Sequence, residues 1–184
     1  MSLTKTPICD FGKKAISFEL KSTDNKIISL NNIRGEKGTL IMFICNHCPY
    51  VKAITNQLVV DMKALEGNGI SSIAIMSNDV INYPDDSFEN MKKFSEGNNF
   101  NFPYVIDETQ FVAKDFMALC TPDFFGFDAE LKLQYRGRLN SAGKNQTSSE
   151  TKNDLVDAML SISKNGIRPE EQFPSIGCSI KWKK

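Results

Sequence analysis

The stretch Cys45-Asn46-His47-Cys48-Pro49 constrains the fold of this chain more than any other, because a buried strand leads into it and a helix leads out of it. Residues 39–44 are apolar after the first position and rich in branched and aromatic side chains, which is typical of a strand inside a parallel sheet. After the stretch, apolar residues recur every three or four positions and predict one buried helix face: Val51, Ile54, Leu58, Met62 and Leu65. Pro49 belongs in the first turn, since proline has no N–H to donate. Both cysteines are therefore predicted at the helix N-terminus.

Two cysteines in that position can act as a redox pair. The unpaired N–H groups of a first helical turn stabilise a thiolate, which is the form that attacks. The spacing of Cys45 and Cys48 allows a small disulfide across the turn. A structural zinc half-site and inert packing are the alternatives. Zinc would need two more ligands, and the chain has one histidine and no second pair among Cys9, Cys120 and Cys178.

Composition limits the other classes of function. The 184 residues are 41% hydrophobic, which fits a single domain over residues 1–184 with its own core. Basic and acidic residues number 22 each, so no net charge attracts nucleic acid or an anionic membrane. No apolar run reaches the ~20 residues of a membrane helix, and residues 1–7 lack the apolar core of a signal peptide, so we expect a cytoplasmic protein. Five cysteines in a reducing compartment favour a catalytic pair plus separate thiols.

The remaining chain predicts alternating strands and helices. An N-terminal β extension over residues 1–38 contains a hairpin, and a strand over residues 70–76 completes a βαβ unit. Asp85 and Asp86 are expected to cap a helix over residues 87–96. The later elements predicted are a strand (102–107), a helix burying Phe111 (108–118), a hairpin (124–135), a helix (151–163) and an irregular C-terminal arm (167–184).

Together with Cys-x-x-Cys and Thr121-Pro122, this order of elements resembles the thioredoxin-like redoxin family. The N-terminal hairpin and the helix near residue 90 make the AhpC/TSA (peroxiredoxin-like) branch the most similar. The strings that resemble one bacterial subfamily of thioredoxin-family proteins, with its Cys-Asn-His-Cys-Pro motif, are residues 43–51, 77–79, 83–84, 120–125 and 174–182. The resemblance implies an α/β fold, a thioredoxin-like α/β/α sandwich with a central mixed sheet and an N-terminal β-hairpin extension.

The resemblance also implies roles for individual residues. It makes Cys45 the nucleophile, Cys48 the resolving thiol and Pro122 a cis-proline facing them, beside which an extended substrate would pair. Thr121, Asn46 and Pro49 are the residues expected to contact that substrate. His47, as a neighbouring cation, is expected to stabilise the thiolate. Cys120 and Cys178 are possible accessory thiols, and neither is expected to be required for dithiol cycling.

The chain departs from its relatives at several positions. Met42 stands where thioredoxin has a buried aspartate that accepts a proton. Aligning the peroxiredoxin motif Pro-x-x-x-Thr-x-x-Cys on Cys48 puts Cys45 at the threonine and Ile41 at the proline. The peroxiredoxin arginine cannot be assigned among four candidates: Arg34, Arg136, Arg138 and Arg168. These departures weaken the prediction of peroxidase chemistry.

The sequence therefore predicts a thiol-disulfide oxidoreductase with no bound cofactor. Its partners would be protein or small-molecule disulfides and an external thiol reductant, without nucleic acid or membrane. Cys45 is expected to lie further out than Cys48 and to attack first. One alternative is a thiol peroxidase that uses Cys48. Another is a copper or zinc carrier that uses Cys45, Cys48 and His47.

Overall fold

A computed structural model of the chain describes residues 3–6 and 10–184, so Cys9 lies outside the described residues. The strands are β1 (Leu3–Lys5), β2 (Glu19–Ser22), β3 (Ile27–Ser29), β4 (Gly38–Phe43), β5 (Ile70–Met76), β6 (Tyr104–Ile106), β7 (Cys120–Thr121), β8 (Asp123–Asp128), β9 (Leu133–Gly137) and β10 (Ile176–Ser179). The helices are α1 (Pro49–Glu66), α2 (Phe88–Gly97), α3 (Phe111–Asp115) and α4 (Asp154–Asn165). None of the described helices combines the length and the apolar character needed to cross a membrane.

The central sheet has seven strands in the order β3-β2-β6-β5-β4-β8-β9. Strands β4, β5 and β6 are parallel, whereas β8 and β9 run antiparallel to their neighbours. Every residue of β4 is buried, as its apolar sequence predicted. The N-terminal hairpin β2–β3 joins the edge of this sheet through β6. The predicted mixed sheet with a hairpin extension is confirmed.

Two apolar clusters cover the two faces of the sheet. On one face, α1 and α4 bury Leu58, Met62 and Met159 together with the two cysteines of the Cys-x-x-Cys motif. On the other, α3 and the N-terminal segment bury Phe18 and Phe116, among others, against the sheet. Helix α1 begins at Pro49 as predicted. The architecture is thioredoxin-like.

Two local predictions are wrong because tertiary contacts override them. The helix predicted over residues 108–118 is only five residues long, and Phe111 is exposed. Gln110 adopts a left-handed backbone, and the Asp107 carboxylate accepts the Ala113 N–H, so Ala113 is the helical residue that faces inward. Asp86 does not cap α2, because its side chain is buried against the 46–47 loop instead.

The C-terminal arm is not irregular throughout. Residues Ile176–Ser179 form β10, which lies between β1 and β7 in a separate three-stranded sheet. Cys178 pairs with Leu3 on one side and with Thr121 on the other. Such a short strand carries no recognisable alternation, and both of its partners are distant in sequence. Gly177 permits the close approach, because a Cβ there would overlap the Thr121 carbonyl oxygen.

Candidate active site

The Cys-x-x-Cys motif lies in the loop between β4 and α1. Cys48 is the N-cap residue of α1, and Pro49 is its first helical residue. Neither Cys45 nor Cys48 has measurable solvent exposure. The expectation that Cys45 lies further out is therefore wrong, since both sulfur atoms are covered.

Thr121 brings the two thiols together from the opposite side. Its Oγ1 lies 3.3 Å from Cys45 Sγ, and its carbonyl oxygen accepts a hydrogen bond of 3.1 Å from the Cys48 thiol. The Thr121-Pro122 peptide bond is cis, as predicted from the sequence. Thr121 is thus in direct contact with both members of the pair.

The two thiols differ in acidity. Hydrogen bonding from the Cys45 thiol lowers the pKa of Cys48, and hydrogen bonds from Cys178 and from the Val51 N–H lower it further against the effect of burial. Hydrogen bonding between Cys45 and Cys48 raises the pKa of Cys45, and burial and the Asp86 charge raise this pKa further. The hydrogen bond from the Cys48 thiol to the Thr121 carbonyl opposes ionisation of Cys48. The direction of both shifts makes Cys48 the more acidic thiol and Cys45, the predicted nucleophile, the less acidic one.

His47 is paired with a carboxylate that the sequence did not assign to the site. Its Nδ1 lies 2.6 Å from Asp86 Oδ2 and 3.9 Å from Cys45 Sγ. Hydrogen bonding to Asp86 raises the pKa of His47 above its usual value. Burial alone would raise the pKa of Asp86, but hydrogen bonds from His47 and Asn78 outweigh it and hold that pKa low. The imidazolium is therefore largely compensated by Asp86, which limits its effect on the thiols.

Asp86 also fixes the backbone of the active-site loop. Its Oδ1 accepts the N–H groups of Asn46 at 2.8 Å and His47 at 3.2 Å, while Asn78 donates to Oδ2 at 2.7 Å. Sequence reasoning missed both Asp86 and Asn78 as site residues. In the sequence, Asp86 follows Pro84-Asp85 and precedes a predicted helix, so it resembled a helix cap. Its backbone partners in the active-site loop lie about 40 positions away and could not be recognised from the sequence.

The other predicted substrate contacts are divided between the interior and the rim. Asn46 is buried, accepts the Tyr104 hydroxyl at 2.9 Å and donates to the Asp85 carbonyl at 3.1 Å, so its side chain supports the loop. Pro49 is exposed at the start of α1. The partly exposed His47 ring stacks on Tyr83 at 5.9 Å. The accessible rim is thus formed by Pro49, His47 and Tyr83.

The two possible accessory thiols have different surroundings. Cys178 lies opposite Thr121 in the strand register and belongs to the buried cluster that contains Cys45 and Cys48. The Cys120 thiol instead donates to the Pro122 carbonyl at 3.6 Å. Burial raises the pKa of Cys178 to about 11 and raises that of Cys120 still more. Of these two cysteines, Cys178 is the one that shares the buried cluster of the redox pair.

The donor atoms suited to a metal form a different set from the predicted one. One ligand atom each from Cys45, His47 and Asp86 lies within 4.8 Å of the others, whereas the sequence suggested Cys48 as the third ligand. The Asp86 oxygens already accept four hydrogen bonds. A metal ion would have to displace the bonds that hold the loop, so this donor set fits a carrier poorly.

The four arginines are engaged away from the thiols. Their partners are the Ala129 carbonyl for Arg34, Asp123 for Arg136, Asp154 for Arg138 and the Phe11 ring for Arg168. Arg138 lines a cavity of about 440 Å³ together with Pro122 and Tyr50. Strand β10 pairs with Thr121 and occupies the edge where a substrate strand was predicted to pair.

The fold matches those of several solved proteins. A protein from Geobacillus kaustophilus described as an uncharacterized conserved protein is 43% identical, covers 100% of this chain and 97% of its own, and superimposes with a TM-score of 0.94. The thioredoxin domain of a thiol-disulfide oxidoreductase from Bacteroides vulgatus is 20% identical, with coverages of 70% and 89% and a TM-score of 0.59. Peroxidoxin BcpB from Mycobacterium tuberculosis is 18% identical, with coverages of 86% and 98% and a TM-score of 0.62. These last two likenesses show the fold.

A comparison with curated protein sequences gave no match. The sequence profile of the AhpC/TSA family matches residues 11–136, which include the Cys-x-x-Cys motif and Pro122. Because this match spans more than half of the chain, the protein belongs to the AhpC/TSA family of thiol redox proteins.

Proposed function

We propose that this protein is a thiol-disulfide oxidoreductase whose Cys45 and Cys48 alternate between dithiol and disulfide. The observation that carries the proposal is that Thr121 contacts both thiols at the N-terminus of α1, with its Oγ1 3.3 Å from Cys45 Sγ and its carbonyl oxygen 3.1 Å from Cys48 Sγ. Two cysteines at this spacing, held by one residue, can form a disulfide with little movement of the backbone. The cycle needs no bound cofactor, since the electrons are held by the cysteines themselves.

The acidities of the two thiols set the order of events. The Cys48 thiolate attacks one sulfur of a substrate disulfide, and the other substrate sulfur leaves as a thiolate that takes up a proton. Cys45 then loses its proton and attacks Cys48 in the mixed disulfide, which closes Cys45–Cys48 and releases the second substrate thiol. An external thiol reductant returns the pair to the dithiol. This order reverses the roles that the sequence predicted.

Because both sulfur atoms are buried, the size of a substrate affects how easily it reaches them. A bulky protein disulfide reaches Cys48 less easily than a small disulfide does, because both sulfur atoms are covered and β10 pairs with Thr121. We therefore include both protein and small-molecule disulfides as substrates, with the small ones reacting faster. A cytoplasmic location stays part of the proposal, since turnover depends on a supply of external thiols.

A second candidate is a thiol-dependent peroxidase that uses Cys48. One observation favours it: the buried Cys48 precedes Pro49 at a helix N-terminus, where a thiolate is stabilised. Hydrogen peroxide is small enough to reach a covered sulfur. The engagement of all four arginines elsewhere counts against this candidate.

Peptide mapping and turnover assays separate the two candidates. We expect oxidised wild-type protein to contain the Cys45–Cys48 disulfide and to reduce oxidised glutathione or insulin with a thiol donor. Cys48→Ser should abolish turnover, and the matched control Cys120→Ala should retain it. Failure of the wild type to form Cys45–Cys48 would contradict the proposal. Rapid sulfenylation of Cys48 by hydrogen peroxide, with peroxide consumption at the expense of added thiol, would favour the peroxidase.

A further inference from the structure

Strand β10 places a third cysteine against the redox pair. Cys178 lies opposite Thr121 in the strand register, and Thr121 contacts Cys45 and Cys48. Cys45, Cys48 and Cys178 are all members of the same buried apolar cluster. Pairing with β1 on one side and β7 on the other fixes the position of Cys178. Three thiols therefore share one buried cluster.

We propose that Cys178 is a third catalytic thiol that takes over the disulfide from Cys45 and forms a Cys48–Cys178 bond. In this step Cys178 Sγ attacks Cys48 Sγ, the Cys45–Cys48 bond breaks, and the Cys45 sulfur leaves with the electron pair and takes up the proton lost by Cys178. One disulfide is present before and after, so the exchange requires no oxidant. The inference rests on the proposed dithiol cycle, which supplies the first disulfide.

The geometry distinguishes Cys178 from the nearby Cys120. Successive residues of a strand point to opposite faces, so Cys120 points away from the side on which Thr121 contacts the thiols. Its thiol bonds to the Pro122 carbonyl rather than to Cys48. Cys120 is therefore a matched control: it is buried in the neighbouring strand, but its thiol bonds to the Pro122 carbonyl and lies outside the cluster of the redox pair.

The new disulfide would have a structural consequence. A Cys45–Cys48 bond stays within one loop, whereas a Cys48–Cys178 bond ties the N-terminus of α1 to β10. In that state Cys45 is again a thiol, so the site contains a Cys48–Cys178 disulfide and a reduced Cys45 next to each other. The C-terminal arm then becomes part of the redox chemistry rather than only a cover over it.

The first test uses the full-length Cys45→Ser variant, oxidised with glutathione disulfide, alkylated and mapped by mass spectrometry. We expect a Cys48–Cys178 disulfide, lost when Cys178→Ala is added and retained when Cys120→Ala is added. Recovery of Cys48 as a glutathione mixed disulfide, with Cys178 fully alkylated, would overturn the inference. Circular dichroism spectra of each variant show whether the fold is retained.

The second test leaves every cysteine of the wild type in place. In buffers with varied glutathione ratios, both disulfides should be found, and their ratio should stay constant because the exchange between them transfers no electrons to the buffer. Gly177→Ala, which forces β10 away from Thr121, should remove Cys48–Cys178 and leave Cys45–Cys48. Wild type with only Cys45–Cys48 would refute this inference and keep the proposed function, whereas wild type without Cys45–Cys48 would refute the proposed function.

Discussion

The charge on the active-site loop depends on three neighbouring side chains. His47 and Asp86 form an ion pair of 2.6 Å, and Cys45 lies 3.9 Å from the same imidazole nitrogen. Hydrogen bonding to Asp86 raises the pKa of His47, so the imidazole stays protonated to a higher pH than a free one. Removal of His47 would leave the Asp86 carboxylate uncompensated beside the thiols. The ion pair thus protects the reduced pair from a nearby negative charge.

We predict that His47→Ala makes the Cys45–Cys48 disulfide harder to reduce. An unpaired negative charge disfavours the thiolate, and a change of one pKa unit corresponds to about 1.4 kcal/mol or about 30 mV for a two-electron couple. A glutathione redox titration measures the potential. The difference from wild type should be largest at low pH and shrink as pH rises through the raised pKa of His47, where the wild-type imidazole also becomes neutral. Equal potentials for both proteins from about pH 5.5 to about pH 8 would exclude this role.

Among the helices and strands, the sequence predicted those that depend on the pattern of neighbouring residues. The apolar run of β4, Pro49 at the start of α1 and the parallel β5 all follow from neighbouring residues. The failures share a different cause. Asp86 finds its partners across the loop at residues 46 and 47, and β10 exists only through pairing with Leu3–Lys5 and with Thr121. Contacts between distant residues leave no periodic signal, so the cover over the thiols could not be predicted.

We predict that Gly177→Ala exposes the redox thiols. A Cβ at this position would overlap the Thr121 carbonyl, so β10 must separate from β7 and uncover Cys48. The rate of Cys48 alkylation by iodoacetamide should increase several-fold, and insulin reduction should gain more than glutathione reduction, because the larger substrate is the one that the strand excludes. Gly97→Ala is the matched control, since a Cβ at Gly97 would meet no atom within 4 Å. An unchanged alkylation rate in folded Gly177→Ala protein would show that β10 does not limit access.

At the scale of the whole molecule, the central sheet separates the thiol chemistry from a buried ion pair. Phe124 of β8 packs in the cluster that contains Cys45 and Cys48, whereas Phe125 belongs to the cluster on the opposite face. The Arg136 guanidinium lies 4.5 Å from the centre of the Phe125 ring and 3.0 Å from Asp123, and both charged side chains are almost fully buried. Substitutions in this ion pair can therefore be used to test the stability of the fold separately from the redox chemistry.

We predict that Arg136→Met lowers the free energy of unfolding by about 3–5 kcal/mol, because it leaves Asp123 buried without its partner. Burial already raises the pKa of Asp123 to about 6 in spite of Arg136, and loss of the arginine should raise it further. An acid with a raised folded-state pKa binds more protons folded than unfolded, so stability falls as pH rises from about 4 through that raised pKa. Urea unfolding should therefore show a larger loss of stability near neutral pH than near pH 4, where Asp123 is already neutral.

The double variant Asp123→Leu/Arg136→Met should recover most of the lost stability, since an apolar pair requires no compensating charge. A double variant as unstable as Arg136→Met at neutral pH would show that the arginine stabilises the sheet through its packing on Phe125 instead.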